Sequence, residues 1–555
     1  MRTALLLALG ALITIAAACG DRSTGSREPL FVPGEVAIIP RPEAVWVDSG
    51  GSRFVLDADT AIIVEAGSSA ADDAARLLVD LLQKAFPDSP GPRVQSGLGD
   101  VRGAILLTSS DTDPALGDEG YELIVKQDGV VVRATGARGL LHGVQSLRQL
   151  LPPEIEGANA ADPSLPSVRI VDRARFPWRG LMLDTSRFFL PVEYVLRTID
   201  LLALHKMNVL HFHLSDDQGW RIESERHPEL HLVGSVWDAE RAPTERGGYY
   251  TRAELETIVA HARRLGVEVV PEVDMPGHTV AILRALPELA CSPSPDVVRQ
   301  RDEFRITPWF DGPLIHEEVL CACDERVYAF VADVLDELVA IFPSPWIHLG
   351  GDETPTAEWA TSHLCAGLAA AGTIEGVEDV QAYFSHRVEE LVRARGKRLL
   401  GWSEVLRNEQ ASAGRFALSD SFTTMHWNGI TAGNPPRLFD RDVVQSPIFT
   451  LYLDWYASTS LEQVYAYEPV PDGLSPAQAA HVLGAQGNMW TGFPQQRSLE
   501  RIDVHLFPKL LAIAELTWSS RERRDFADFE TRRAVHERRL DALGVTRGPC
   551  TDCRF

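Results

Sequence analysis

Two rhythms of apolar positions divide this chain. Between residues 33 and 174, short β-branched runs (RFVLDADTAIIVEA, GAILLTSS, GVVVRATG) are interleaved with SAADDAARLLVDLLQKAF and ARGLLHGVQSLRQLLP, whose apolar residues recur at helical spacing. That mixture predicts a small α+β domain, one sheet covered on one face. The stretch NAADPSLPSVRIVDRARFPW reads as the connector into the next unit. From residue 175 to 520 apolar strands alternate with helices. RGLMLDTS precedes a helix near residues 191–206, and MNVLHFHLSDD is the next strand. Helices at 252–265, 326–342 and 380–396 lead into VEVVPEVDMPGH, WIHLGGDE and KRLLGWSE. VVQSPIFTLYLDW and HVLGAQGNMW follow, then one long helix from Asp503 through Trp518. Strands alternating with helices predict parallel β/α units, and their number approaches eight, so the expected fold is a (β/α)₈ barrel preceded by the α+β domain. A doubly wound open sheet is the alternative, but no glycine-rich nucleotide-binding motif opens any helix. Residues 521–555 read as a helical extension and tail.

The predicted barrel strands share one property: each ends in polar or aromatic residues. These are Asp184; Asp216 and Asp217; Asp274 and His278; Asp352 and Glu353; Trp402 and Glu404; Tyr452 and Asp454; and Trp490. In a parallel barrel these ends meet at one face, the face on which such barrels do chemistry. Indole rings cover the apolar face of a sugar, and carboxylates accept its hydroxyl protons. The stretch IHLGGDETP sets Asp352 and Glu353 side by side, and packing gains nothing from adjacent like charges. Successive residues of a strand point to opposite sides, so the two acids can serve different atoms.

Composition narrows the class of partner. Of 555 residues, 45% are apolar and 24% charged, as in soluble globular proteins of more than one domain. The net charge of −25 disfavours nucleic acid and anionic membrane surfaces and fits a neutral substrate. The N-terminus, MRTALLLALGALITIAAACG, has one Arg, a short apolar run and small residues leading to Cys19. It reads as an export signal rather than a spanning helix. It is similar to bacterial lipoprotein signals, with residues 1–19 as leader, Cys19 carrying lipid and residues 20–32 a polar tether; plain secretion after cleavage near Ala18 is the alternative. Either way the expected location is the cell envelope or the exterior, with the lipid on Cys19 as the one membrane contact. After Cys19 come Cys291, Cys321, Cys323, Cys365, Cys550 and Cys553, which are disulfide candidates in that compartment. A bridge from Cys291 to Cys321 or Cys323 is expected to pin the excursion after the third barrel strand. Cys550 and Cys553 are expected to form a short terminal bridge, since a zinc site would need two further ligands.

The strings RGLMLDTSRFFLP, NVLHFHLSDDQGWRIE, PEVDMPGH, HLGGDE, GWSEV, LYLDW and QGNMWTGF, in this order, resemble glycoside hydrolase family 20, the β-N-acetylhexosaminidases. IIPRPEAV and GLLHGVQSLRQLLP resemble that family's small N-terminal domain, so the resemblance covers about residues 35–520. It implies an exo-acting enzyme that releases terminal β-linked GlcNAc, with GalNAc as a further candidate, from glycans or chitooligosaccharides. It implies retention without an enzymic nucleophile, the substrate's 2-acetamido oxygen attacking the anomeric carbon to give an oxazolinium ion. No metal or organic cofactor is required.

By the same resemblance, Glu353 would be a partly buried general acid and then base. Asp352 would stay ionised, hold the acetamido N–H and stabilise the developing positive charge. Tyr452 would donate to the acetamido oxygen. Trp402, Trp427 and Trp490 would wall the pocket, Arg179 would bind the C3 and C4 hydroxyls, and Asp454 would face the C4/C6 side. Asp216 and His278 would form a hydrogen-bonded pair steering the Glu353 proton, supported by Asp217, Gln218, His213 and Glu404. One position departs from the family: two residues after Trp490, where the family usually has Glu, stands Gly492. An altered specificity, such as release of a lacto-N-biose-type disaccharide, and a non-catalytic glycan-binding lipoprotein are the competing expectations.

Overall fold

The computed structural model describes residues 30–65, 69–86, 91–97, 101–157, 163–235, 247–292, 318–428, 438–454, 459–492 and 498–548. The leader, Cys19 and the Cys550/Cys553 pair lie outside the described residues. Among the described residues no helix is long and apolar enough to cross a membrane.

Among the described residues the N-terminal unit holds one mixed sheet of eight strands and a small antiparallel pair, Arg53–Val55 with Ser164–Pro166. In spatial order the strands of the sheet are Phe31–Pro33, Ala44–Asp48, Val168–Asp172, Tyr121–Lys126, Gly129–Arg133, Ala104–Thr108, Ala61–Val64 and Val94–Ser96. Phe31–Pro33, at the end of the expected tether, pairs as an edge strand with Ala44–Asp48. The two helices read from the sequence form over Ser69–Ala85 and Ala137–Leu150 and pack on the sheet through Leu78, Leu82, Val144 and Leu147.

The second unit is a closed barrel of eight parallel strands. They are β1 (Trp178–Asp184), β2 (Val209–His213), β3 (Glu268–Glu272), β4 (Trp346–His348), β5 (Arg398–Trp402), β6 (Thr423–His426), β7 (Val443–Gln445) and β8 (Val482–Met489). Side-chain alternation sorts each strand. On β1, Leu181 and Leu183 join the large apolar shell beneath the surrounding helices, whereas Trp178 joins the inner cluster with Val209, Val270, Leu400 and Met425. Two elements differ from the sequence pattern. The long helix expected over Asp503–Trp518 is two helices, Leu499–Leu506 and Lys509–Trp518, because Pro508 has no N–H to continue the ladder. The run VVQSPIFTLYLDW is strand only over Val443–Gln445; Pro447 opens a helical turn, Ile448–Leu451, before Tyr452.

The two units share a buried seam. Trp518 of the last barrel helix packs into the N-terminal core and donates to Asp172 at 2.9 Å. Lys206, fully buried, pairs with the same carboxylate at 3.0 Å. The C-terminal helix Phe526–Ala542 clamps this seam: Arg532 pairs with Glu515 of the barrel, and Arg539 with Glu156 of the first unit. Disulfides join Cys291 to Cys321 and Cys323 to Cys365. The first is one of the two pairings expected, and it closes the excursion that follows β3.

Candidate active site

β4 ends at His348, so Asp352 and Glu353 do not lie on the strand and strand alternation does not separate them. A left-handed turn does. Gly350 and Gly351 have φ of 79° and 88°, and Glu353 itself has φ 47°. A non-glycine residue in this region is held there at some cost by its surroundings. At Gly350 the turn also passes so close to β3's exit that a Cβ would come within 1.7 Å of Asp274 Oδ1. That same oxygen accepts the Gly351 N–H at 3.0 Å. The turn sends the two carboxylates into different surroundings: the Asp352 side chain is 12% exposed, that of Glu353 31%. Asp352 Oδ1 is buried and has no hydrogen-bond partner among the described residues. Burial, with the carboxylates of Glu353, Glu404 and Glu272 nearby and against the pull of His278, pushes the Asp352 pKa up to about 7. Burial thus works against charge on Asp352, and a partner for Oδ1 would favour it.

His278, at φ 53°, faces both acids. Its Nε2 lies 3.5 Å from Glu353 Oε2 and 3.8 Å from Asp352 Oδ2. On the other side of the ring, Nδ1 is 3.2 Å from Asp217 Oδ2 and 3.4 Å from Asp216 Oδ1. The expected Asp216–His278 pair is thus a three-member arrangement in which Asp217 makes the shorter contact and also accepts the Val280 N–H. Burial opposes charge on His278, yet Asp216, Asp217 and Glu353 raise its pKa well above the usual 6.5.

Aromatic rings complete the pocket. Trp427, just beyond β6, stacks on Tyr452 with centroids 6.3 Å apart and planes at 23°. Glu404 holds it there, accepting the indole N–H at 2.9 Å. Trp490, just beyond β8, lies 6.1 Å from Tyr452. Trp402 sits one layer deeper than expected, covered by Trp490 and donating to Glu272 at 2.9 Å, so it supports the floor. Asp454 is buried, its Oδ1 has no partner among the described residues, and burial raises its pKa to about 8.

Arg179 is not in this pocket. It is the second residue of β1, at the strand's N-terminal end and hence at the opposite mouth of the barrel. Its parity is that of Leu181 and Leu183, which face outward. It is fully buried against the N-terminal unit, donating to Glu119, to the Phe176 and Lys206 carbonyls, and lying over the Trp518 ring. The pocket arginine is Arg187, just past the C-terminal end of the same strand. It pairs with Asp216 at 2.5 Å, donates to Gln218 at 3.1 Å and lies over the Trp490 ring at 4.8 Å. Asp184, the last residue of β1, accepts the Thr491 N–H at 3.0 Å and thereby ties the Trp490 segment to the end of that strand.

Among the described residues, four sets of His, Asp and Glu side chains lie at and beneath this pocket, three of them sharing members, with ligand atoms within 4.8 Å of one another in each. Within these sets histidine nitrogens and carboxylate oxygens lie at ion-pair distance from one another.

The family description "Glycosyl hydrolase family 20, catalytic domain" matches residues 176–521, and "Glycosyl hydrolase family 20, domain 2" matches residues 35–173. The chain belongs to glycosyl hydrolase family 20. It is a glycosidase. Among curated relatives, a β-hexosaminidase of Porphyromonas gingivalis is 35% identical over 544 residues, covering 95% of this chain and 66% of that protein. The chain thus spans just under two thirds of that relative's length. A β-N-acetylhexosaminidase of Cellulomonas fimi is 30% identical, covering 92% of this chain and 95% of that one. Among solved structures, the family 20 β-N-acetylhexosaminidase of Streptomyces coelicolor A3(2) superposes with a TM-score of 0.78 at 30% identity, over 94% of this chain and 99% of that one. The family 20 exo-β-N-acetylglucosaminidase of Vibrio harveyi, solved in complex with N-acetylglucosamine, gives 0.77 at 27% identity over 96% and 81%.

The two arginines of this family 20 chain give a direct test of the placement. Arg179→Ala takes the bidentate partner from Glu119, which keeps Asn208 and Arg138, and removes a fully buried side chain from the seam, so it should lose about 1.5–3 kcal/mol of stability while the folded fraction keeps its KM. Arg187→Ala should raise KM or lower kcat/KM by about ten- to a hundredfold, the worth of a charged hydrogen bond to a hydroxyl. Thermal denaturation and steady-state kinetics on both variants check this; a large KM effect at Arg179 would reverse the assignment.

Proposed function

We propose that this glycosidase is an exo-acting β-N-acetylhexosaminidase that uses its substrate's own acetamido group as nucleophile. One observation carries the reading: a left-handed turn at the end of β4 sets a buried carboxylate with an unpartnered oxygen, Asp352, beside a more exposed carboxylate, Glu353. In this reading Asp352 Oδ1 takes the acetamido N–H. That bond, and the positive charge that develops as the acetamido oxygen attacks C1, both favour the ionised form and draw its pKa down from about 7. Tyr452 donates its hydroxyl to the acetamido oxygen, and burial beside Asp352 and Asp454 keeps that phenol protonated. Trp427 and Trp490 flank the acetamido methyl and the ring. Glu353 protonates the leaving oxygen and then takes a proton from the incoming water. Arg187 and Asp454 bind the ring hydroxyls. The leader would place this activity in the cell envelope or outside the cell.

The test is hydrolysis of p-nitrophenyl β-GlcNAc followed by NMR. Release of nitrophenol with β-GlcNAc as the first-formed anomer is expected. An inert protein would mean a glycan-binding module, and first-formed α-GlcNAc an inverting enzyme.

Gly492 bears on the choice of sugar. A pocket that hydrogen-bonds a hydroxyl rejects the wrong epimer because its own polar group is left unpaired. With glycine where the family usually has Glu, that penalty is missing on this side. GlcNAc and GalNAc substrates should therefore differ by about tenfold or less in kcat/KM, one neutral contact being worth about 1–1.5 kcal/mol. Gly492→Glu should sharpen the preference. A wild-type preference of about several hundredfold would mean that another group fills this place.

A further inference from the structure

The line of charge behind Glu353 does not stop at Asp216. The carboxylate that faces His278 through Oδ1 turns its Oδ2 to Nε2 of His213, at 3.0 Å. The other ring nitrogen of His213, Nδ1, is hydrogen-bonded to Oε2 of Glu272. His213 closes β2 and Glu272 closes β3; both are fully buried, in register as neighbours in the barrel wall. An ionised carboxylate only accepts, so a ring with a carboxylate at each nitrogen must donate from both. A neutral imidazole would set one bare lone pair against a carboxylate oxygen at a fully buried position.

The surroundings support a charged ring. Burial opposes the charge, but Glu272, Asp216 and Asp184 raise the His213 pKa well above 6.5. Glu272 is stabilised as an anion by two further groups: His211 Nε2 lies 3.0 Å from the same Oε2, and Trp402 donates to Oε1 at 2.9 Å. Asp216 also receives Arg187 and the Asp217 N–H. The Trp490 ring stands edge-on to His213 at 5.0 Å. At the other end of the line His278 faces Asp217, Asp352 and Glu353 directly and feels Asp274 beneath them.

We propose that His213 is a positioning residue for the reaction: a permanent buried cation that ties Asp216 to Glu272 in the barrel core, so that Asp216 holds His278 with Nε2 toward Glu353. The assignment rests on the reading of Glu353 as the acid and base. Its consequence is electrostatic as well as geometric. The charge on His213 offsets part of the Asp216 carboxylate. Without it, more negative potential reaches His278 and the pocket it faces, and favours protonated forms there. The alkaline limb of kcat/KM, which reports loss of the general acid's proton in the free enzyme, should then move to higher pH. A residue that merely fills space would lower activity without moving that limb.

The experiment is the pH profile of kcat/KM for the full chain on a chitooligosaccharide, whose leaving group needs protonation. In His213→Gln the alkaline limb should rise by about one pH unit, with kcat down by about tenfold or more. His213→Lys, which keeps a cation, should hold the limb within about a few tenths of a unit of wild type. An unmoved limb in the Gln variant overturns the proposal. Glu353→Gln is the control: a limb that persists there sinks the role of Glu353 rather than that of His213. Should the His213 variants not fold, the wild type still decides. Its [¹⁵N]histidine spectrum at pH 9 should retain at least two doubly protonated rings, His213 and His278, and fewer than two overturns the proposal.

Discussion

Replacing Glu353 by glutamine should lower kcat/KM on chitooligosaccharides by about 10²- to 10⁴-fold, the usual contribution of a positioned general acid. The change keeps the shape of the side chain and the left-handed turn that carries it, so the fold should be unaffected. His278, 3.5 Å away, loses its charged partner but keeps Asp216 and Asp217. The loss must depend on the leaving group. A dinitrophenolate departs without protonation, so the variant should hydrolyse dinitrophenyl glycosides far better than natural ones. Plotted against leaving-group pKa, wild-type rates should be nearly flat and variant rates should fall steeply. Equal losses for both kinds of substrate would remove Glu353 from the acid role.

Asp352→Asn should lower kcat/KM by about 10²- to 10³-fold, the typical effect of deleting one preorganised electrostatic partner of a transition state. Its pH behaviour is the more telling result. In the free enzyme burial and the nearby acids hold Asp352 near a pKa of about 7, and the proposed mechanism requires the ionised form. Wild-type kcat/KM should therefore rise with pH through about 7. In the bound complex the acetamido N–H and the developing cation lower that pKa, so the acid limb of kcat should lie below that of kcat/KM. The asparagine variant should lack this limb altogether. A thiazoline analogue of the cyclic intermediate should inhibit the wild type strongly and the variant weakly. Equal inhibition of the two would show that Asp352 is not the clamp.

Much of the architecture is legible in the sequence because a parallel barrel gathers its strand ends. Acids and tryptophans recurring after apolar runs can be placed together without knowing any distance, and the breaks at Pro447 and Pro508 are visible as prolines. The exchange of Arg179 for Arg187 shows what ordered strings alone do not decide. Both arginines belong to the stretch WRGLMLDTSR, at opposite ends of β1. The signal that separates them is physical: Arg179 starts the strand and shares its parity with two outward leucines, while only Arg187 lies past the end where the site forms. The separation of Asp352 from Glu353 is less accessible. The two glycines announce a turn, but its hand, and with it the burial of one acid and exposure of the other, depends on how closely Asp274 approaches Gly350. The sequence shows His213 only as a support, since its second carboxylate comes from the neighbouring strand.

The central claim, that the substrate supplies its own nucleophile, is tested most directly by weakening that nucleophile. Aryl β-glycosides bearing N-acetyl, N-fluoroacetyl, N-difluoroacetyl and N-trifluoroacetyl groups differ little in size at C2 but greatly in the electron density of the amide oxygen. If that oxygen attacks C1, log kcat/KM should fall steeply and linearly across the series, by about several orders of magnitude in all, in line with a bond formed in the transition state. A flat series would mean that a group of the protein, or water, makes the bond to C1, and would contradict the account.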